Sequence, residues 1–87
     1  MKVHIPTPLR SYTDKQSVVE ADGTTVGEML AEIDRRYPGF RFRIVDEQDG
    51  IREHIKIFVN ETPVRSLGLP LRPEDTIHII CALSGGV

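Results

Sequence analysis

The sequence has a single cysteine, Cys81, in 87 residues. A lone thiol excludes an intramolecular disulfide framework, an iron–sulfur cluster held by this chain alone and a zinc ribbon, and it suits a reducing compartment. No apolar run approaches the ~18 residues of a membrane span, and Met1-Lys2-Val3-His4-Ile5-Pro6 lacks the roughly 7–15-residue apolar stretch of a signal peptide. A soluble, cytoplasmic protein with no membrane partner is expected. A large excess of either charge is missing too: eleven Lys+Arg and thirteen Asp+Glu leave a formal charge of −2, with both signs interspersed. Nucleic acid is therefore not expected as a partner. There is no internal repeat and no low-complexity segment. Polar stretches are short, such as the loop Asp46-Glu47-Gln48-Asp49-Gly50, so one domain is expected. A chain of this size buries only a little over ~60% of its unfolded surface, which leaves a thin core and little room for an enclosed active site.

What is present is ordered along the chain. Val3 and Ile5 alternate with Lys2 and His4 until Pro6 and Pro8 interrupt them, which predicts a first strand. After a polar turn around Asp14-Lys15, the β-branched run Ser17-Val18-Val19-Glu20-Ala21, stopped by Asp22-Gly23, predicts a second strand forming a hairpin with the first. Val26, Met29, Leu30, Ile33 and Tyr37 then make one stripe at helical spacing, with Glu28, Glu32, Asp34, Arg35 and Arg36 on the other positions. Thr25 followed by Glu28 matches a capping box, and Pro38-Gly39 ends the pattern, so the helix is bounded at about Thr25 and Tyr37. Phe40, Phe42 and Ile44 alternate with Arg41 and Arg43, predicting a strand. Ile51, Ile55, Ile57 and Val59 predict another, and Thr76 to Ala82 the last.

One helix between flanking strands indicates an α+β fold with the helix packed across one face of a mixed four- to five-stranded sheet. The small fold with this order is the β-grasp, in which the first and last strands lie parallel at the sheet centre. Residues 1–82 are assigned to it. Residues 83–87, Leu83-Ser84-Gly85-Gly86-Val87, follow as a flexible tail.

Several segments in this order carry a resemblance. Thr24-Thr25-Val26-Gly27-Glu28-Met29-Leu30 opens the helix and Tyr37-Pro38-Gly39 closes it. Ile57-Phe58-Val59-Asn60 precedes a turn, Pro73-Glu74-Asp75-Thr76-Ile77 leads into the last strand, and Leu83-Ser84-Gly85-Gly86 comes near the end. Together they resemble the ubiquitin-like sulfur-carrier family, typified by the small subunit of molybdopterin synthase and the thiamine- and cysteine-pathway sulfur carriers. The resemblance covers the whole chain, and its functional element is the Gly-Gly pair.

The resemblance implies a carrier and not an enzyme. A ubiquitin-activating-type enzyme spends ATP to adenylate the carboxylate of Gly86. Sulfide or a persulfide displaces AMP, and the thiocarboxylate gives its sulfur to an acceptor held by a partner, a sulfur-accepting synthase subunit. No permanently bound cofactor and no metal is implied. Gly85 and Gly86 carry no Cβ and thread a channel that a β-branched residue obstructs. From Leu83 onward the tail reaches roughly 15–18 Å. Val87 departs from the family pattern, because it ties the Gly86 carboxyl into an amide. A precursor trimmed after Gly86 by a JAMM-type zinc metalloprotease is expected. The acceptor pathway, whether molybdopterin, thiazole, cysteine, methionine or a siderophore-type product, is left open. Two other functions are also open: a protein modifier conjugated through Gly86, and a plain β-grasp interaction domain.

Other residues have plainer readings. Cys81, where these carriers more often have proline or an apolar residue, has no His/Asp partner at defined spacing and reads as a small apolar strand residue. His4 and His78 share outward parity on neighbouring strands but lack a third ligand, so they read as a solvated face. Arg41 and Arg43 beside Phe40 and Phe42 read as an ordinary amphipathic strand. With Ile55, Ile57 and Val59 facing the helix, Lys56 and Phe58 face out. Ile77 and Ile79 facing in puts His78 and Ile80 out. Phe58, Ile80 and His78 then form an exposed patch near the tail, expected to dock a partner.

Overall fold

The computed structural model describes residues 1–82. The chain runs through β1 (Lys2–His4), a 3₁₀ segment (Thr7–Tyr12), β2 (Val18–Glu20), α1 (Val26–Arg36), α2 (Phe40–Ile44), β3 (Ile55–Val59), β4 (Thr62–Pro63) and β5 (Thr76–Cys81). The five strands lie in the order β2-β1-β5-β3-β4. β1 is parallel to β5 and antiparallel to β2, and β3 is antiparallel to both β5 and β4. This is the β-grasp arrangement expected from the element order, with the first and last strands paired at the sheet centre.

Alternation decides which face is dry. Val3 lies opposite Val19 and Ile77, and Ile57 lies opposite Ile79; all five are buried, together with Ile55 and Val59. Val26, Met29, Leu30 and Ile33 of α1 are fully buried and belong to the same cluster. The helix stripe and the inward strand positions therefore fill one core.

The helix begins where the sequence places it. Thr25 is the N-cap, and its Oγ1 accepts from the Glu28 amide at 3.2 Å. The Glu28 carboxylate reaches past the cap to Thr24, accepting from its amide at 2.9 Å and its hydroxyl at 2.8 Å, so the reciprocal bond is displaced by one residue from the usual box. These bonds hold the Glu28 carboxyl below its ordinary pKa, the Thr24 amide contributing most. Gly23 sits at φ +154°, and a Cβ there would stand 2.7 Å from the Met29 backbone nitrogen. At that point the chain passes too close to the helix for a side chain. Tyr37 caps the other end, its amide donating to the Ile33 carbonyl at 2.8 Å.

Phe40–Ile44 is a correction to the sequence reading, because this segment is a short helix and not a strand. Positions 40, 42 and 44 satisfy a period of two, but 40 and 44 also lie one helical turn apart. Phe40 and Ile44 are fully buried, whereas Phe42 is 54% exposed. Gly39 at φ +97° admits the turn from α1, and Asp34 Oδ1 caps the new helix by accepting from the Gly39 and Arg41 amides at 3.2 and 2.9 Å. Ahead of the polar turn at Asp14-Lys15, the chain also forms a 3₁₀ segment that the sequence reading did not place, and it buries Leu9.

Candidate functional site

The solvent face of the sheet is built by the residues left over from the core. Val18 lies opposite His4, His4 opposite His78, His78 opposite Phe58, and Phe58 opposite Pro63. One row thus crosses all five strands. In its centre the His4 and His78 rings are stacked, centroids 4.6 Å apart and planes 11° apart. Ile80 comes next along β5, 46% exposed and opposite Lys56. His4, His78, Phe58, Ile80, Asn60 and Glu61 line a shallow groove of about 390 Å³. The structure therefore brings Phe58, His78 and Ile80 onto one outward face, with Phe58 and His78 half-buried and Ile80 open.

The Asn60 end of this groove is pinned. Asn60 adopts φ 58° at the β3–β4 turn. Its Oδ1 accepts from the Thr76 amide at 3.1 Å, and its Nδ2 donates to Asp75 Oδ1 at 3.1 Å. Asp75 Oδ2 accepts from the Arg72 amide at 2.9 Å. These bonds, the Arg72 amide first, lower the Asp75 pKa, and they tie the end of β3 to the start of β5.

At the opposite end of β5 the chain leaves the sheet. Cys81 pairs with Ile55 and is half-buried against the core, and the Ala82 amide donates to the His54 carbonyl at 2.7 Å. His54 borders a second groove, of about 270 Å³, with Phe42, Arg43, Glu47 and Arg52. Sequence reasoning missed this groove because it placed Phe42 in a strand. The available signal was Gly39 followed by an apolar pair at helical spacing. Gly85, Gly86 and Val87 lie outside the described residues. Among the described residues no three His, Cys, Asp or Glu side chains come together to hold a metal ion, and no helix is long and apolar enough to cross a membrane.

The model of the ThiS family matches residues 3–86. The chain belongs to that family. Its relatives include the sulfur carrier protein CysO of Mycobacterium tuberculosis, 33% identical over 89 residues that cover 97% of this chain and 96% of CysO. A chain from the crystal structure of the Amycolatopsis orientalis BexX/CysO complex superposes with a TM-score of 0.91 at 35% identity, covering 98% of each chain. Crystalline CysO from Mycobacterium tuberculosis gives 0.88 at 30% identity, over 94% of this chain and 98% of its own. These likenesses to the ThiS family and to CysO run through the whole β-grasp.

Proposed function

We propose that this chain is a sulfur carrier whose working group is the Gly86 carboxylate, freed by removal of Val87. The observation that carries this reading is the extent of the family match, which runs from residue 3 and closes on Gly86 with Val87 beyond it. The full-length relationship to proteins named as sulfur carriers supports it.

The chemistry follows from the state of that carbonyl. While Val87 is attached, Gly86 carries an amide, which cannot be adenylated. Hydrolysis of the Gly86–Val87 bond, by a JAMM-type metalloprotease in this proposal, gives the carboxylate. A ubiquitin-activating-type enzyme then transfers AMP from ATP to one carboxylate oxygen, releasing pyrophosphate. Sulfide attacks the carbonyl carbon, the C–O bond to AMP breaks, and AMP leaves with the electron pair, so the chain ends in a thiocarboxylate. A sulfur-accepting synthase consumes it. The chain supplies no catalytic group in these steps. It offers the tail and a surface by which each partner holds it, the outer face around Phe58, His78 and Ile80. That a CysO occurs in complex with another protein, BexX, supports docking through this fold.

The test compares three proteins with the adenylating enzyme from the same organism, ATP and sulfide: the full chain, the chain ending at Gly86, and that shortened chain carrying Gly86→Ala. Intact-mass measurement should show the exchange of one oxygen for sulfur only on the chain ending at Gly86. Acquisition of that mass with Val87 still attached places the thiocarboxylate elsewhere and overturns the precursor.

A further inference from the structure

Phe42 is the most exposed large hydrophobic side chain among the described residues, yet it is not loose. The Arg52 guanidinium lies over its ring, 4.5 Å from the centroid, while Arg52 Nε donates to the Phe42 carbonyl at 2.7 Å. Beside it the Arg43 guanidinium sits 5.4 Å from the Tyr12 centroid. Both cations are thus held against aromatic rings, with side-chain freedom already spent.

Two neighbouring carboxylates, Asp46 and Asp49, are engaged elsewhere. Asp49 pairs with Arg41 at 3.1 Å. Asp46 Oδ1 accepts from the Gln48 and Gly50 amides, both at 2.9 Å, which lowers its pKa, with the Arg52 charge a lesser contribution. Glu47 lines the groove. Among the described residues no carboxylate lies within 4 Å of a nitrogen of Arg43 or Arg52.

Position gives the patch its meaning. The Phe42–Arg52 groove includes His54, and the His54 carbonyl receives the Ala82 amide, so the groove borders the point from which the chain continues to Gly86. A protein that takes Gly86 into a deep site must bring its surface against whatever surrounds Ala82. We propose that Phe42, Arg43 and Arg52 form a second docking surface at the root of the tail, separate from the outer sheet face. Its occupant is the rim of the adenylating enzyme, carrying carboxylates for the two guanidinium groups beside an apolar seat for the Phe42 ring. Preorganised arginine and aromatic side chains are the types that dominate protein interfaces, and guanidinium forks match carboxylates. A nucleic-acid occupant is disfavoured by Asp46, Glu47 and Asp49 alongside and by the net charge of −2. This inference rests on the carrier reading.

The test measures binding without chemistry. Titration calorimetry of the chain ending at Gly86 against the adenylating enzyme, without ATP, is compared with Phe42→Ala, Arg52→Glu and Arg52→Lys, each first shown to keep its thermal melt. Phe42→Ala and Arg52→Glu should each weaken binding by about tenfold or more, and Arg52→Lys should recover part of the loss. Added salt should weaken the unsubstituted complex more than the Arg52→Glu complex. Unchanged affinity in folded Phe42→Ala and Arg52→Glu overturns the surface, as does an unsubstituted chain that does not bind. Intact mass with ATP and sulfide separates this result from the carrier reading. Binding with these sensitivities but no sulfur exchange sinks the carrier chemistry and leaves the surface standing. Exchange that depends equally on enzyme concentration in all variants does the reverse.

Discussion

His4 and His78 stack face to face across the parallel β1–β5 pair, their ring centroids 4.6 Å apart. The pair forms the middle of the outer row, with Val18 and Phe58 on its flanks. Two flat rings lying against each other provide a level floor at the sheet centre, and Ile80, two residues beyond His78, rises beside it. A partner seated on this floor must strip water from Ile80.

Ile80→Asp is therefore expected to weaken binding of the adenylating enzyme by about tenfold or more, since the new carboxylate must be desolvated on docking. The site is exposed, so thermal stability should change by only about 0.5 kcal/mol. Calorimetry and a circular dichroism melt check the two halves. Wild-type affinity in the folded variant removes this face from the interface.

Ile33→Ala should destabilise the fold by about 2–5 kcal/mol, a large share of the roughly 5–15 kcal/mol a domain has. Ile33 is fully buried where α1 meets the sheet. Urea unfolding measures the loss, and a value below about 1 kcal/mol contradicts the core as described.

Two phenylalanines two residues apart should behave oppositely. Phe40→Ala removes a fully buried ring and should cost about 3–5 kcal/mol. Phe42→Ala removes an exposed ring with one stacked guanidinium and should cost at most about 1 kcal/mol. Equal losses by denaturant titration imply a strand with both rings on one face.

The chain should lose stability in acid. Glu28, Asp46 and Asp75 all have lowered pKa values in the fold, each chiefly from a backbone amide bond, to Thr24, Gly50 and Arg72 respectively. A carboxyl that binds its proton more weakly folded than unfolded stabilises the fold above its unfolded pKa. That contribution disappears as the pH falls through the lowered value. Melting temperature should thus fall from about pH 5 downward, with a shallower fall in Asp75→Asn. A melt independent of pH across that range is the contrary result.

Legibility of the fold depended on how local each cause is. Thr25, Glu28 and the stripe from Val26 to Ile33 act within a few turns, and the sequence shows the helix to within a residue at each end. Strand parity is equally local, so the inward Ile55, Ile57, Ile77 and Ile79 and the outward Phe58, His78 and Ile80 were all readable. Phe40–Ile44 was not, because its spacing suits either element. Two causes decide it: the Asp34 carboxylate reaching from the preceding helix, and burial against the core. The shared outward parity of His4 and His78 was readable too, but their stack requires the β1–β5 register, which joins opposite ends of the chain. The groove at His54 likewise exists only once α2 and the Ala82 amide have been placed.

The position of β5 has a mechanical consequence. It is bonded along both edges, to β1 on one side and β3 on the other, and in the proposed function the chain beyond it is what a processing or activating enzyme grasps. Tension applied through Ala82 runs along the strand, so it loads both ladders in shear. The hydrogen bonds share that force and do not open one at a time from a free edge. The same traction on β2 or β4, each bonded along a single edge, meets only one ladder. A tail anchored this way can be drawn into a narrow site and pulled out again while the body it hangs from stays folded.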